Sequence, residues 1–145
     1  MNEKVPALSA EVEILVPFHD LDPLGVVWHG NYFKYFELAR TEAMRVIGFD
    51  IEQMKLSGYA WPVVDAQCRY ISPLRYGMRA LIRAEILETE HRLKIGYEIK
   101  DKETGQRIAK GRTLQAAVKL GTWEMCYDTP EALLSRIKAA AEIKK

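Results

Sequence analysis

Two carboxylates and a histidine stand close together near the start of the chain, in the run DLDPLGVVWHGNYFKYFE at residues 20–37. Asp20 and Asp22 lead into a turn marked by Pro23 and Gly25, and an apolar segment then delivers His29 to the start of an aromatic, helically spaced stretch. Such a turn brings a carboxylate near a helix N-terminus, where the first backbone N–H groups lack helical partners and the dipole favours negative charge. A carboxylate beside such an anion-stabilising site is what acyl transfer or thioester hydrolysis needs. The carboxylate attacks a carbonyl or activates water, and N–H donors hold the oxyanion. Each residue also has an ordinary use. Asp before Pro opens turns and caps backbone, a lone histidine is commonly structural, and Glu37 and Arg40, three apart, read as a helix ion pair.

Other chemistries find no support. No Gly-x-Ser-x-Gly elbow occurs, so a Ser-His-Asp triad is not expected. No second histidine or cysteine stands at metal-ligand spacing from His29, so neither metal nor bound cofactor is expected. Cys68 and Cys126 are too few and too far apart for a disulfide framework and read as inert core residues in a reducing, cytoplasmic setting. A net charge of +1, with no block of like charge, argues against nucleic acid or an anionic membrane as partner. The longest run free of charged residues, 23–33, is far short of the roughly 20 apolar residues of a membrane span. Glu3 and Lys4 are not followed by an apolar leader. With 145 residues, 48% apolar and 28% charged, the chain reads as one globular domain over 1–145.

The elements that must position the motif are legible in outline. Residues 1–9 read as a loose arm, and 11–18 as a first strand through the alternation of Val12, Ile14 and Val16. A long helix is expected over 32–47, with Tyr32, Phe36, Ala39, Ala43 and Ile47 on one buried stripe, Asn31 as N-cap and Gly48 as its stop. Asp50 and Gln53 have capping-box spacing for a second helix that ends at Gly58. Strands follow at 60–72, 78–89, 92–102 and 107–120, the last three linked closely enough for antiparallel pairing, with a short strand expected at 122–127. Thr129 is the expected cap of a C-terminal helix over 129–145, with Pro130 in its first position and a stripe of Leu133, Ile137 and Ala140. This order is an α+β plan with a sheet able to wrap the long helix.

Asp22, Gly25, Val27, His29, Asn31 and Tyr32 together resemble the signature of the 4-hydroxybenzoyl-CoA thioesterase family of hotdog-fold enzymes. The resemblance implies a hotdog fold, a catalytic Asp22, and a His29 backbone N–H that polarises the thioester oxygen. It implies an acyl-CoA thioesterase assembled as a homodimer or homotetramer with each site at a subunit interface. Asp20 would fix the turn by accepting backbone N–H bonds. Gly25, Val27, Trp28, Asn31 and Tyr32 would shape the substrate site, with Phe18 lining the acyl pocket where several relatives carry a tyrosine. Met78 replaces an aspartate common in the family, a change that reads as structural. Arg92 and Lys94 fall where the family places basic CoA contacts, with Arg69, Arg75 and Arg112 as alternatives. A hotdog subclass with a catalytic helix glutamate is not matched around Glu37. The competing readings are an acyl-ACP thioesterase, a dehydratase, and a non-catalytic acyl-CoA-binding module.

Overall fold

The computed structural model describes residues 8–144; the expected arm therefore lies outside the described residues except for Leu8 and Ser9. Strand β1 is Ser9–Leu15, starting and ending earlier than its alternation predicts, because a 3₁₀ turn at Phe18–Asp20 takes over after Pro17. Helix α1, Asn31–Val46, buries Tyr32, Phe36, Ala39 and Ala43 as predicted, with Ile47 buried just beyond. Its N-cap is Gly30 and not Asn31. At its other end Gly48 N–H bonds the Arg45 carbonyl and Phe49 N–H the Met44 carbonyl, a Schellman ending with Gly48 at φ 73°. Helix α2, Ile51–Ser57, carries the complete Asp50/Gln53 capping box and stops at Gly58.

The strand expected over 60–72 is two pieces, β2 at Tyr59–Ala60 and β3 at Val63–Tyr70. The break falls at Trp61–Pro62: Pro62 has no N–H to give, and the Gln115 side chain takes the Trp61 carbonyl at 2.6 Å. Strands β4 (Arg79–Glu88) and β5 (Leu93–Asp101) match expectation closely. The last expected strand divides into β6, Arg107–Gln115, and β7, Val118–Lys119. Residues 122–127 form no strand; a single bridge joins Met125 to Val118. Helix α3 is Glu131–Lys144, and its Leu133, Ile137 and Ala140 are buried. Thr129 does not cap it: the hydroxyl is buried without a hydrogen-bond partner among the described residues, and the Pro130 carbonyl receives the first N–H groups.

Five strands form one antiparallel sheet in the order β1–β4–β5–β6–β3, leaving β1 and β3 as edges, and β2 pairs with β7 separately. Alternate residues of β4 and β5 (Ala80, Ile82, Ala84, Ile86; Leu93, Ile95, Tyr97, Ile99) are buried on one face. Helix α1 lies on that face. Phe36 stacks on Tyr97 with centroids 4.5 Å apart, and it fits only because Gly111 of β6, opposite Tyr97, has no side chain. The α+β plan, an antiparallel sheet built on a long helix, is thus present, and the turn at 19–30 sits where α1 meets the sheet.

Candidate active site

Asp20 anchors the turn. It is 3% exposed, and its carboxylate accepts hydrogen bonds from Lys34 Nζ at 2.8 Å and the Tyr35 hydroxyl at 2.6 Å. The backbone N–H bonds expected at its carboxylate go to its carbonyl instead, which takes Trp28 N–H and, at 3.0 Å, the Asn31 side-chain amide. The carboxylate therefore ties the turn to α1, and the carbonyl ties it to the segment leading into α1. Burial by itself pushes the Asp20 carboxyl up, but the donors on Lys34 and Tyr35 outweigh it and hold the group below the usual aspartate range.

Asp22 follows in a tight loop. Its N–H donates to the Val26 carbonyl, Gly25 N–H donates back to the Asp22 carbonyl, and Leu24 N–H donates to Oδ1 at 2.9 Å. Gly25 turns the loop at φ 82°, a region that favours glycine. The ordinary turn-forming use of Asp22 is thus real and occupies one carboxylate oxygen; Oδ2 has no hydrogen bond among the described residues. Val27 N–H donates to the Leu74 carbonyl, and Val26 bridges Arg75, so the segment between β3 and β4 clamps the loop.

His29 follows Trp28 at the start of α1. Its carbonyl accepts the Tyr70 hydroxyl at 2.7 Å, while the N–H groups of His29 and Gly30 make no hydrogen bond among the described residues. Asp22 and His29 line one open cavity of about 310 Å³ together with Val27, Tyr32, Tyr70, Ile71 and Pro73. Burial pushes the Tyr32 phenol up and the Tyr70 phenol up to about 12, so both hydroxyls stay protonated at neutral pH. A carboxylate oxygen and an unspent His29 N–H at a helix start, around one hollow walled by Tyr32 and Tyr70, are the groups needed to bind a carbonyl and add a nucleophile or water to it. Larger hollows, such as the one of about 590 Å³ beside Arg69, Lys110 and Arg112 and the one of about 580 Å³ at the start of α2, do not include Asp22.

Of the residues singled out in the sequence, Asp22, Val27, His29 and Tyr32 converge on this cavity. Gly25 shapes the loop, and Asn31 spends its amide on Asp20. Trp28 lies over Gly30 and tilts against the His29 ring at 4.9 Å, outside the cavity lining. Phe18 does not line the cavity: it is 72% exposed and packs edge-on to Tyr76, because the 3₁₀ turn swings it outward. Arg92 and Lys94 lie at the opposite end of the sheet from Tyr70. In register Tyr70 is level with Ile99 through Ala109, and six residues of strand separate Ile99 from Leu93, about 20 Å. Within the chain the Arg92 guanidinium bonds the carbonyls of His91 and Tyr127, and Lys94 lies 3.7 Å from Glu88. Glu37 pairs with Arg40 at 2.8 Å, and Met78 closes the turn before β4 by accepting Arg75 N–H, a structural use. Cys68 and Cys126 are free and half-buried, packed against the edge of the core.

Lys34, Tyr35 and Tyr70 were not singled out for the site. Lys34 and Tyr35 had one local signal, a helix face shared with Asn31; Tyr70 had none, because its link to His29 spans 41 residues.

A family model described as the thioesterase-like superfamily matches residues 16–140. The chain is 30% identical to a 1,4-dihydroxy-2-naphthoyl-CoA hydrolase of Thermosynechococcus vestitus over 140 residues, covering 94% of each chain. It is 32% identical to the acyl-CoA thioester hydrolase YbgC of Escherichia coli over 50% of this chain and 54% of that one. The crystal structure of a DHNA-CoA thioesterase from Staphylococcus aureus superimposes with a TM-score of 0.79 at 26% identity, covering 94% of this chain and 95% of that one. The matched stretch spans between 48% and 66% of the length of the first curated relatives. The α+β arrangement, with the long helix on the antiparallel sheet, is the hotdog fold of these neighbours. The chain belongs to the thioesterase-like superfamily.

Proposed function

We propose that this chain is an acyl-CoA thioesterase of the 4-hydroxybenzoyl-CoA thioesterase type, with Asp22 as nucleophile or general base and the His29 N–H as oxyanion donor. The observation that carries the reading is that the Asp22 carboxylate and His29, whose N–H is unspent, flank one small cavity. As nucleophile, a carboxylate oxygen attacks the thioester carbon, the N–H groups hold the oxyanion of the tetrahedral intermediate, and breaking of the C–S bond expels CoA as thiolate and leaves a mixed anhydride that water then hydrolyses. As base, the carboxylate takes a proton from the attacking water, the C–S bond breaks, and the thiolate is protonated on leaving. Relatives named for CoA-ester hydrolysis support CoA as carrier.

The exposed edge strand β3, with Val63 and Val64 at 42% and 49% exposure, supports a homodimer or homotetramer. A second copy pairing antiparallel along β3 would bring the partner's end of the sheet near Arg92 and Lys94 toward this cavity, which accounts for their distance from it within one chain. We place the activity in the cytoplasm, the setting that two free cysteines suit.

A panel of aryl and aliphatic acyl-CoAs, and the same acyl groups on carrier protein, read by thiol release, tests the reaction. Asp22→Asn should keep the fold and lower kcat by about 10³-fold or more, because an amide is a poor nucleophile and base. His29→Ala should cost far less, since the donor is backbone. Near-normal turnover in Asp22→Asn removes Asp22 from the mechanism, and preference for the protein-bound thioester moves the substrate to acyl-ACP.

A further inference from the structure

Tyr70 reaches the site from the edge strand β3, far in sequence from the motif. Its hydroxyl donates to the His29 carbonyl at 2.7 Å. That carbonyl belongs to the same peptide unit as the Gly30 N–H, so the bond restrains the plane of that peptide and polarises it, making its N–H a stronger donor. The same carbonyl also accepts the Tyr32 N–H, but at 3.4 Å, so the 2.7 Å bond from Tyr70 is the tighter restraint. Gly30 is the N-cap of α1, no side chain caps that end, and glycine by itself leaves the backbone free to turn. The preceding peptides are held from the other side, through Trp28 N–H on the Asp20 carbonyl and Asn31 N–H on the Trp28 carbonyl. Tyr70 is itself held in place, with its ring edge-on to Tyr32 at 4.8 Å and to the His29 ring at 6.4 Å.

We infer that Tyr70 is a positioning residue for the oxyanion site: its hydroxyl fixes the His29–Gly30 peptide so that the adjacent N–H groups of His29 and Gly30 both serve one oxyanion. The inference rests on the thioesterase reading for its kinetic consequence but not for its structural one. Burial and Cys68 keep the phenol protonated, so the donor is present throughout the neutral range.

Tyr70→Phe keeps the ring and its packing and removes only the donor. The expected result is a fall of roughly tenfold in kcat and an equal fall in kcat/KM, with KM nearly constant, the signature of an interaction felt in the transition state. The Gly30 amide resonance should move in the same variant, a readout independent of turnover. A fluorinated tyrosine at position 70, whose phenol ionises at lower pH, should add an alkaline limb to the kcat profile, which a purely space-filling ring would not. Tyr76→Phe, a surface tyrosine packed on Phe18, serves as the unaffected control. If Asp22→Asn is inactive while Tyr70→Phe keeps full kcat and an unmoved Gly30 amide, the role of Tyr70 is overturned and the reaction stands. If Asp22→Asn is fully active, the reaction reading falls, and the Gly30 resonance alone decides whether Tyr70 holds the peptide.

Discussion

Asp20→Ala should damage the protein in a way that Asp22→Asn does not. The variant removes the acceptor for a 2.6 Å hydrogen bond from Tyr35, a residue only 2% exposed, so the phenol hydroxyl is left buried without that partner. A hydrogen bond to a charged group is worth about 1.5–3 kcal/mol, and the loss is felt in full when the remaining partner is buried. The Lys34 contact adds less, since the lysine side chain is 52% exposed and recovers its hydration; exposed pairs contribute about 0–1 kcal/mol. Together these give about 3 kcal/mol. With a urea m-value of about 1.5–2 kcal/mol/M, the unfolding midpoint falls by about 1.5–2 M at unchanged m. The pH dependence follows from the direction of the Asp20 shift. Burial pushes the carboxyl up, Lys34 and Tyr35 pull it further down, and the net folded value lies below 3.8. Its stabilisation is therefore complete above the unfolded value and is lost as pH falls through the lowered folded one. The difference between wild type and variant should hold from neutral pH to about pH 4 and shrink below it. Urea titrations followed by tryptophan fluorescence at several pH values measure this. Coincident midpoints at pH 7, or a difference that grows on acidification, would refute the anchoring role.

At Gly111 an added Cβ would lie 2.4 Å from Phe36 Cε2 and 2.6 Å from the Gln67 carbonyl oxygen. Gly111→Ala should therefore cost about 2 kcal/mol and lower the melting temperature by about 6 °C in calorimetry; an unchanged transition would mean that α1 packs more loosely than described. Light scattering at micromolar concentration should report a dimer or tetramer, and Val64→Lys on the exposed edge should dissociate it; a fully active monomer contradicts an interfacial site. Tyr35 and Tyr70 have phenols raised in the fold, first by burial. The stability they contribute is present below about pH 10 and lost as pH rises beyond it. Urea midpoints should thus fall above pH 10, and Tyr35→Phe should flatten that fall; an identical alkaline limb in the variant would exclude Tyr35 as its source.

What the sequence determined by itself is the part of the protein governed by neighbours within a few residues. The stripe from Tyr32 to Ile47, the Asp50/Gln53 capping box, the stop at Gly48 and the close antiparallel run β4–β5–β6 all depend on local hydrogen bonds and on burial period, and all are present as read. The signature through Asp22 and His29 was equally legible, because its loop is closed by bonds spanning two to four residues. Only the tertiary structure decided which groups meet across long stretches of chain. Asp20 looked like a turn residue, yet its carboxylate is committed to Lys34 and Tyr35 of α1. Thr129 has the right type for a cap, but packing buries its hydroxyl unused, and Phe18 is turned out of the cavity by a 3₁₀ turn that a strand alternation does not encode. Tyr70 joins the site through sheet register, since β3 reaches the start of α1 only after pairing with β6 at the far edge of the sheet. Local pattern specifies which segments form and which faces they bury; the order in which those faces stack, and hence which distant hydroxyl meets which carbonyl, is settled by the packing of the whole core.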